Sequence, residues 1–65
     1  MKINTEKFTR LMVENFYNND KLAKACGVAP VTISRIKTGK QEPHTETLRK
    51  LCEALKCSPA DILHD

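Results

Sequence analysis

The sequence has no tryptophan, one tyrosine and two phenylalanines. Binders of single-stranded nucleic acid stack bases on aromatic rings, so this scarcity argues against that class. There is no apolar run of about 18 residues, which excludes a membrane-spanning helix. No charged, apolar and small-residue leader opens the chain, so secretion is not expected. Three cysteines are an odd number and too few for a disulfide scaffold, and a reducing cytosol is the expected setting. No serine or cysteine nucleophile shares a helix face with a histidine, no glycine-rich phosphate loop follows a strand, and no acids pair in a pocket. With 65 residues there is room for one small domain over 1–65 and little for a concave site. The chain is expected to be no enzyme and to bind no cofactor, small molecule or membrane.

One more absence is informative. Residues 21–40 contain no acid, but they hold Lys21, Lys24, Arg35, Lys37 and Lys40. Residues 1–20 are balanced, and residues 41–65 are net acidic, with Glu42, Glu46, Glu53, Asp61 and Asp65 against Arg49, Lys50 and Lys56. A basic block confined to one third of the chain points to a polyanionic partner.

The apolar pattern is helical. Phe8, Leu11, Met12 and Phe16 follow i, i+3, i+4, i+8, and Leu48, Leu51, Cys52 and Leu55 follow i, i+3, i+4, i+7. Asn4 and Asn18 are N-cap residues, each with an apolar pair placed to staple the start: Ile3 with Phe8, and Tyr17 with Leu22. Ser58, Pro59 and Asp61 make an S-x-x-D box stapled by Cys57 and Ile62. Two weaker starts lie at Ala29-Pro30, stapled by Val28 and Ile33, and at His44, stapled by Pro43 and Leu48. Gly27 and Gly39 suit helix stops. The spacing predicts an all-α fold of five helices over 5–16, 19–26, 30–38, 45–55 and 59–64, with a loop over 40–44.

Cys52 and Cys57, flanked by His44 and His64, raise the question of zinc, which needs four converging ligands. Cys26 and Cys52 lie on apolar stripes and Cys57 takes a staple position. Core packing is therefore the expected role of the thiols, and no metal is expected.

The centre of the chain is a helix, a glycine turn and a second helix, held by Leu22, Ala23, Cys26, Val28, Ile33 and Ile36. The run Leu22-Ala23-x-x-Cys26-Gly27-Val28-x-x-x-Thr32-Ile33-Ser34-x-Ile36-x-x-Gly39 resembles the Cro/CI-type (XRE) helix-turn-helix domains of bacterial and phage repressors. The resemblance extends through Pro43-x-x-x-Thr47-Leu48-x-x-Leu51-x-x-Ala54-Leu55 to Ser58-Pro59-x-Asp61-Ile62-Leu63, covering roughly residues 5–64 with the motif at about 19–38. It implies a compact five-helix, lambda-repressor-like fold and a sequence-specific regulator of transcription, a repressor, that reads double-stranded DNA in a bacterial cytosol.

The second helix of the motif, from Pro30, would then lie in the major groove. Pro30, Val31 and Arg35 match the base-reading positions, with Thr32 and Ser34 beside them. Pro30 and Val31 can meet only thymine methyls, whereas Arg35 suits guanine O6 and N7. Phosphate contacts would fall to Asn19, Lys37, Thr38, Lys40 and Gln41, although Asn19 serves equally well as a plain helix-start residue. Three departures stand out. Met12 and Lys37 replace a buried arginine–glutamate pair, Ala29 replaces the serine or threonine cap, and Lys56 stands where a glycine is usual. Relatives bind near-palindromic operators as dimers, so a homodimer is expected, either preformed or assembled only on DNA. The rival reading is a protein-interaction module, such as an antitoxin-like partner binder. The basic block and Arg35 favour DNA.

Overall fold

The structure, a computed structural model, describes residues 2–63. The described chain forms α1 (Thr5–Glu14), α2 (Asn19–Cys26), α3 (Pro30–Lys37), α4 (Thr45–Leu55) and a single 3-10 turn at Pro59–Asp61. Asn4 caps α1, its Oδ1 accepting from the Lys7 N–H at 3.2 Å. Asn18 does the same for α2 through the Lys21 N–H at 2.7 Å. Neither the Ala29 nor the His44 side chain bonds the start of its helix. A missing cap costs about 1 kcal/mol. Burying one isoleucine contributes about 1.5–3 kcal/mol, and α3 buries both Ile33 and Ile36 completely. Packing therefore holds α3 in place without help from its start.

Two expectations about length are corrected. The first helix stops at Glu14 rather than at residue 16. Asn15 bends away, its Nδ2 donating to the Leu11 carbonyl at 2.8 Å and to the Leu55 carbonyl at 3.1 Å. Phe16 follows at φ 59° and stands 88% exposed. It is thus no member of the apolar stripe. Its neighbour Tyr17 is the aromatic that packs on the core.

The fifth helix is only the 3-10 turn. Pro59 has no N–H to give, and the Asp61 carboxylate takes both Ser58 donors, N–H at 2.9 Å and hydroxyl at 3.1 Å. Ile62 and Leu63 then close back onto the opening segment. The Asn4 N–H donates to the Ile62 carbonyl at 2.7 Å, and Ile3 and Leu63 form an antiparallel bridge. His64, part of the expected fifth helix and of the zinc question, lies outside the described residues.

The core lies where α2 crosses α3 and α4, with α1 laid against α3. Phe8, Leu22, Ile33, Ile36, Leu51, Leu55 and Ile62 are fully enclosed, and Ala23 and Cys26 fill the close crossing of α2. Of the expected staple partners, Ile3, Phe8, Leu22, Ile33, Leu48 and Ile62 are buried, Tyr17, Val28 and Cys57 pack against the core half-buried, and Pro43 is half-buried without joining it.

Candidate nucleic-acid interface

Helices α2 and α3 meet through Gly27, whose backbone is left-handed at φ 70°. The Val28 N–H donates back to the Ala23 carbonyl at 3.0 Å, and Val28 packs against the core just beyond the turn. This fixes the direction in which α3 leaves α2. With Ile33 and Ile36 buried, the remaining positions of α3 are set by the helical period. Pro30, Val31 and Arg35 are exposed and Thr32 and Ser34 are half-buried. Val31 is 52% exposed, a large apolar side chain left in solvent on the same helix as a free-standing guanidinium.

The residues expected at phosphates fall into two groups. Asn19, at the first position of α2, and Lys37, at the last of α3, line one open cleft together with Met12, Tyr17, Asn18 and Asp20. The chain separates these two side chains widely, and the α2–α3 crossing unites them. Met12 is buried beneath. A thioether carries no charge, so Lys37 shares this cleft with an uncharged Met12. The first-turn amides of α2 have no carbonyl partner within the helix, and that of Lys21 is taken by Asn18. The Asn19 Oδ1 is shut away from solvent without a hydrogen-bond partner. Such a buried acceptor is costly.

The second group follows α3. Gly39, at φ 79°, turns the chain, and Lys40 is exposed beyond it. The Gly39 N–H donates to Ile36, and the Lys40 and Gln41 N–H groups both donate to the Arg35 carbonyl. The Thr38 hydroxyl donates to the Ser34 carbonyl at 3.0 Å. Backbone amides and the Thr38 hydroxyl are thus spent on ending the helix, and the side chains of Lys40 and Gln41 are what this turn offers outward. Gln41 lines a different cleft, with Lys2, Ile3, Thr5 and Gly39.

The cysteines are free thiols: Cys26 and Cys52 are buried and Cys57 is half-buried. Burial raises all three; for Cys57, burial first and then the neighbouring Cys52 and Asp61 push the thiol up to about 11. At neutral pH they are protonated and pack as small apolar groups. Among the described residues no three His, Cys, Asp or Glu side chains converge as metal ligands, and no helix is long and apolar enough to cross a membrane.

A family model described as the Cro/C1-type HTH DNA-binding domain matches residues 7–65. No curated protein and no solved structure matches the chain.

Proposed function

The chain belongs to the Cro/C1-type helix-turn-helix DNA-binding family, and from that premise we propose that it is a repressor that occupies an operator and excludes other proteins from it. The family makes it a DNA-binding regulator of transcription. One observation carries the finer reading. The acid-free stretch 21–40 turns Arg35, Pro30 and Val31 outward from a helix locked by the fully buried Ile33 and Ile36.

Laid in the major groove, α3 reads guanine through Arg35 and thymine methyls through Pro30 and Val31, with the Thr32 and Ser34 hydroxyls at its flank. Asn19 and Lys37 hold one phosphate run at the start of α2. Lys40 and Gln41 hold the run beyond α3, and Thr38 joins them only if its hydroxyl leaves the Ser34 carbonyl. With the Asn19 oxygen buried, its amide nitrogen is the end left to meet a phosphate. These contacts fix register without reading sequence.

The described residues measure 28 × 22 × 19 Å, less than one turn of duplex, whose half-sites repeat at about 34 Å. One copy therefore spans a half-site, and two copies related by a two-fold axis would read a near-palindrome. The reading places it in the cytoplasm at the nucleoid, with no catalytic activity and no small-molecule ligand.

The test is selection from a random duplex pool over a salt series, followed by titration of Arg35→Ala and Lys37→Ala. Arg35→Ala is expected to weaken the selected site by about tenfold or more while leaving random duplex nearly untouched. Lys37→Ala should weaken all duplexes alike and flatten the log–log salt slope by about 0.9. No binding by the unaltered chain even at low salt would overturn the DNA reading in favour of a protein partner.

A further inference from the structure

Phe16 carries a ring that the core does not use. It is 88% exposed, and its backbone is left-handed at φ 59°, a conformation that bulky side chains seldom adopt. Val13, whose carbonyl accepts the Phe16 N–H at 3.0 Å, is 67% exposed beside it. The chain uses glycine at the equivalent turns after α2 and α3, and a lysine, Lys56, after α4. At the end of α1 it keeps an aromatic ring instead, at the double cost of strain and exposed apolar surface. Two large apolar side chains left in solvent at such a turn point to a partner outside the fold.

The position of the ring selects the partner. Phe16 directly precedes Tyr17, Asn18 and Asn19, which line the cleft that also holds Lys37. Phe16 therefore borders, along the chain, the rim of the cleft assigned above to a phosphate. A DNA strand alternates anionic phosphates with largely apolar deoxyribose rings. A phosphate held by Lys37 and the start of α2 brings the adjoining sugar to that rim. A second copy of the chain fits less well. Phe16 and Val13 together offer at most about 300 Å², against about 800 Å² per partner in a stable interface.

We propose that Phe16, with Val13 beside it, is a deoxyribose contact of the bound duplex, an uncharged grip that adds affinity without reading sequence. This rests on the DNA reading above.

The variants Phe16→Gly and Phe16→Trp test it by anisotropy titration on labelled random duplexes of about two helical turns. Phe16→Gly should weaken binding about tenfold on every duplex. The salt slope should stay unchanged, because no charge is lost, and the melting temperature should hold or rise, because glycine accepts the turn. Phe16→Trp introduces the sole tryptophan of the chain, and its emission should shift to the blue when duplex is added. Several results would overturn the proposal: undiminished binding by Phe16→Gly, a lowered melting temperature accompanying the lost affinity, a tryptophan emission blind to DNA, or a dimer without DNA that Phe16→Gly dissociates. If the unaltered chain binds no duplex at all, the DNA reading fails and the sugar contact falls with it. Tight binding that ignores position 16 removes the sugar contact alone.

Discussion

All four α-helices stop by the same backbone device, and the side chains placed on it separate the end of α3 from the other three. In each case the chain turns through a left-handed residue. The next N–H donates five residues back: Tyr17 to Met12 at 2.8 Å, Val28 to Ala23 at 3.0 Å, Lys40 to Arg35 at 2.8 Å and Cys57 to Cys52 at 3.0 Å. This is the Schellman arrangement, in which those two residues usually make an apolar contact. Met12, Ala23 and Cys52 are buried, and Tyr17, Val28 and Cys57 lie against the core. After α3 the two positions are Arg35 and Lys40, both exposed. Three helix ends are thus fastened to the core, whereas the fourth is held by Ile33 and Ile36 alone and turns two cations outward. Cations at a helix C-terminus are also favoured by the dipole. The comparison supports the proposed nucleic-acid face on grounds that do not depend on any motif.

The same device divides the left-handed residues into two kinds. Gly27 and Gly39 serve the helix-turn-helix, whereas Phe16 and Lys56 serve the scaffold helices α1 and α4. The largest stability effect is expected at Gly27→Ala. A Cβ there meets nothing within 4 Å at φ 70°, so the cost is backbone strain alone, about 1–2 kcal/mol. Urea unfolding should show a lower midpoint at an unchanged slope. An unaltered midpoint would mean that the turn does not need its glycine.

The converse change is smaller. Lys56→Gly relieves the strain at φ 56°, but it also frees the unfolded chain, so the net gain should be about 0.5–1 kcal/mol. A loss of stability would show that the Lys56 side chain, and not only its backbone, supports α4.

The residues explain which parts of this were readable in the sequence. Asn4 and Asn18 announce helix starts because their side chains bond the first turn, and Gly27 announces the turn because little else accepts its φ. The stripe of α4 is read directly, since Leu48, Leu51, Cys52 and Leu55 all face inward. Phe16 was not readable. It continues the periodicity of α1 as well as a core residue would, and a stop formed by an aromatic leaves no compositional mark. The adjacent Tyr17 was the available clue, because two successive aromatics cannot both point into one core. Likewise, Ser58-Pro59-x-Asp61 reads as a helix start whether one turn follows or two. The cleft shared by Asn19 and Lys37 depends on how α2 crosses α3, and spacing along the chain does not encode a crossing angle.

The smallest expected effect belongs to the scaffold's own charged device, and it is distinguished from the α3 end by pH. The Ser58 N–H, and then its hydroxyl, donate to the Asp61 carboxylate and hold its pKa below the ordinary 3.8. A carboxyl that is more acidic when folded adds stability above the unfolded pKa and loses it as pH falls through the folded value. Asp61→Asn should therefore melt slightly below the unaltered chain at pH 7, with the gap closing only below about pH 3.8. Added salt should leave the gap largely intact at neutral pH, because short hydrogen bonds between adjacent groups are screened far less than separated charges. The Arg35 and Lys40 pair should behave in the opposite way. Its removal should alter DNA binding in a strongly salt-dependent manner and barely move the melting temperature, since neither side chain is fastened to the core. A salt-sensitive Asp61 gap, or a large stability loss on removing Arg35 and Lys40, would erase the distinction between inward-bonded and outward-turned helix ends.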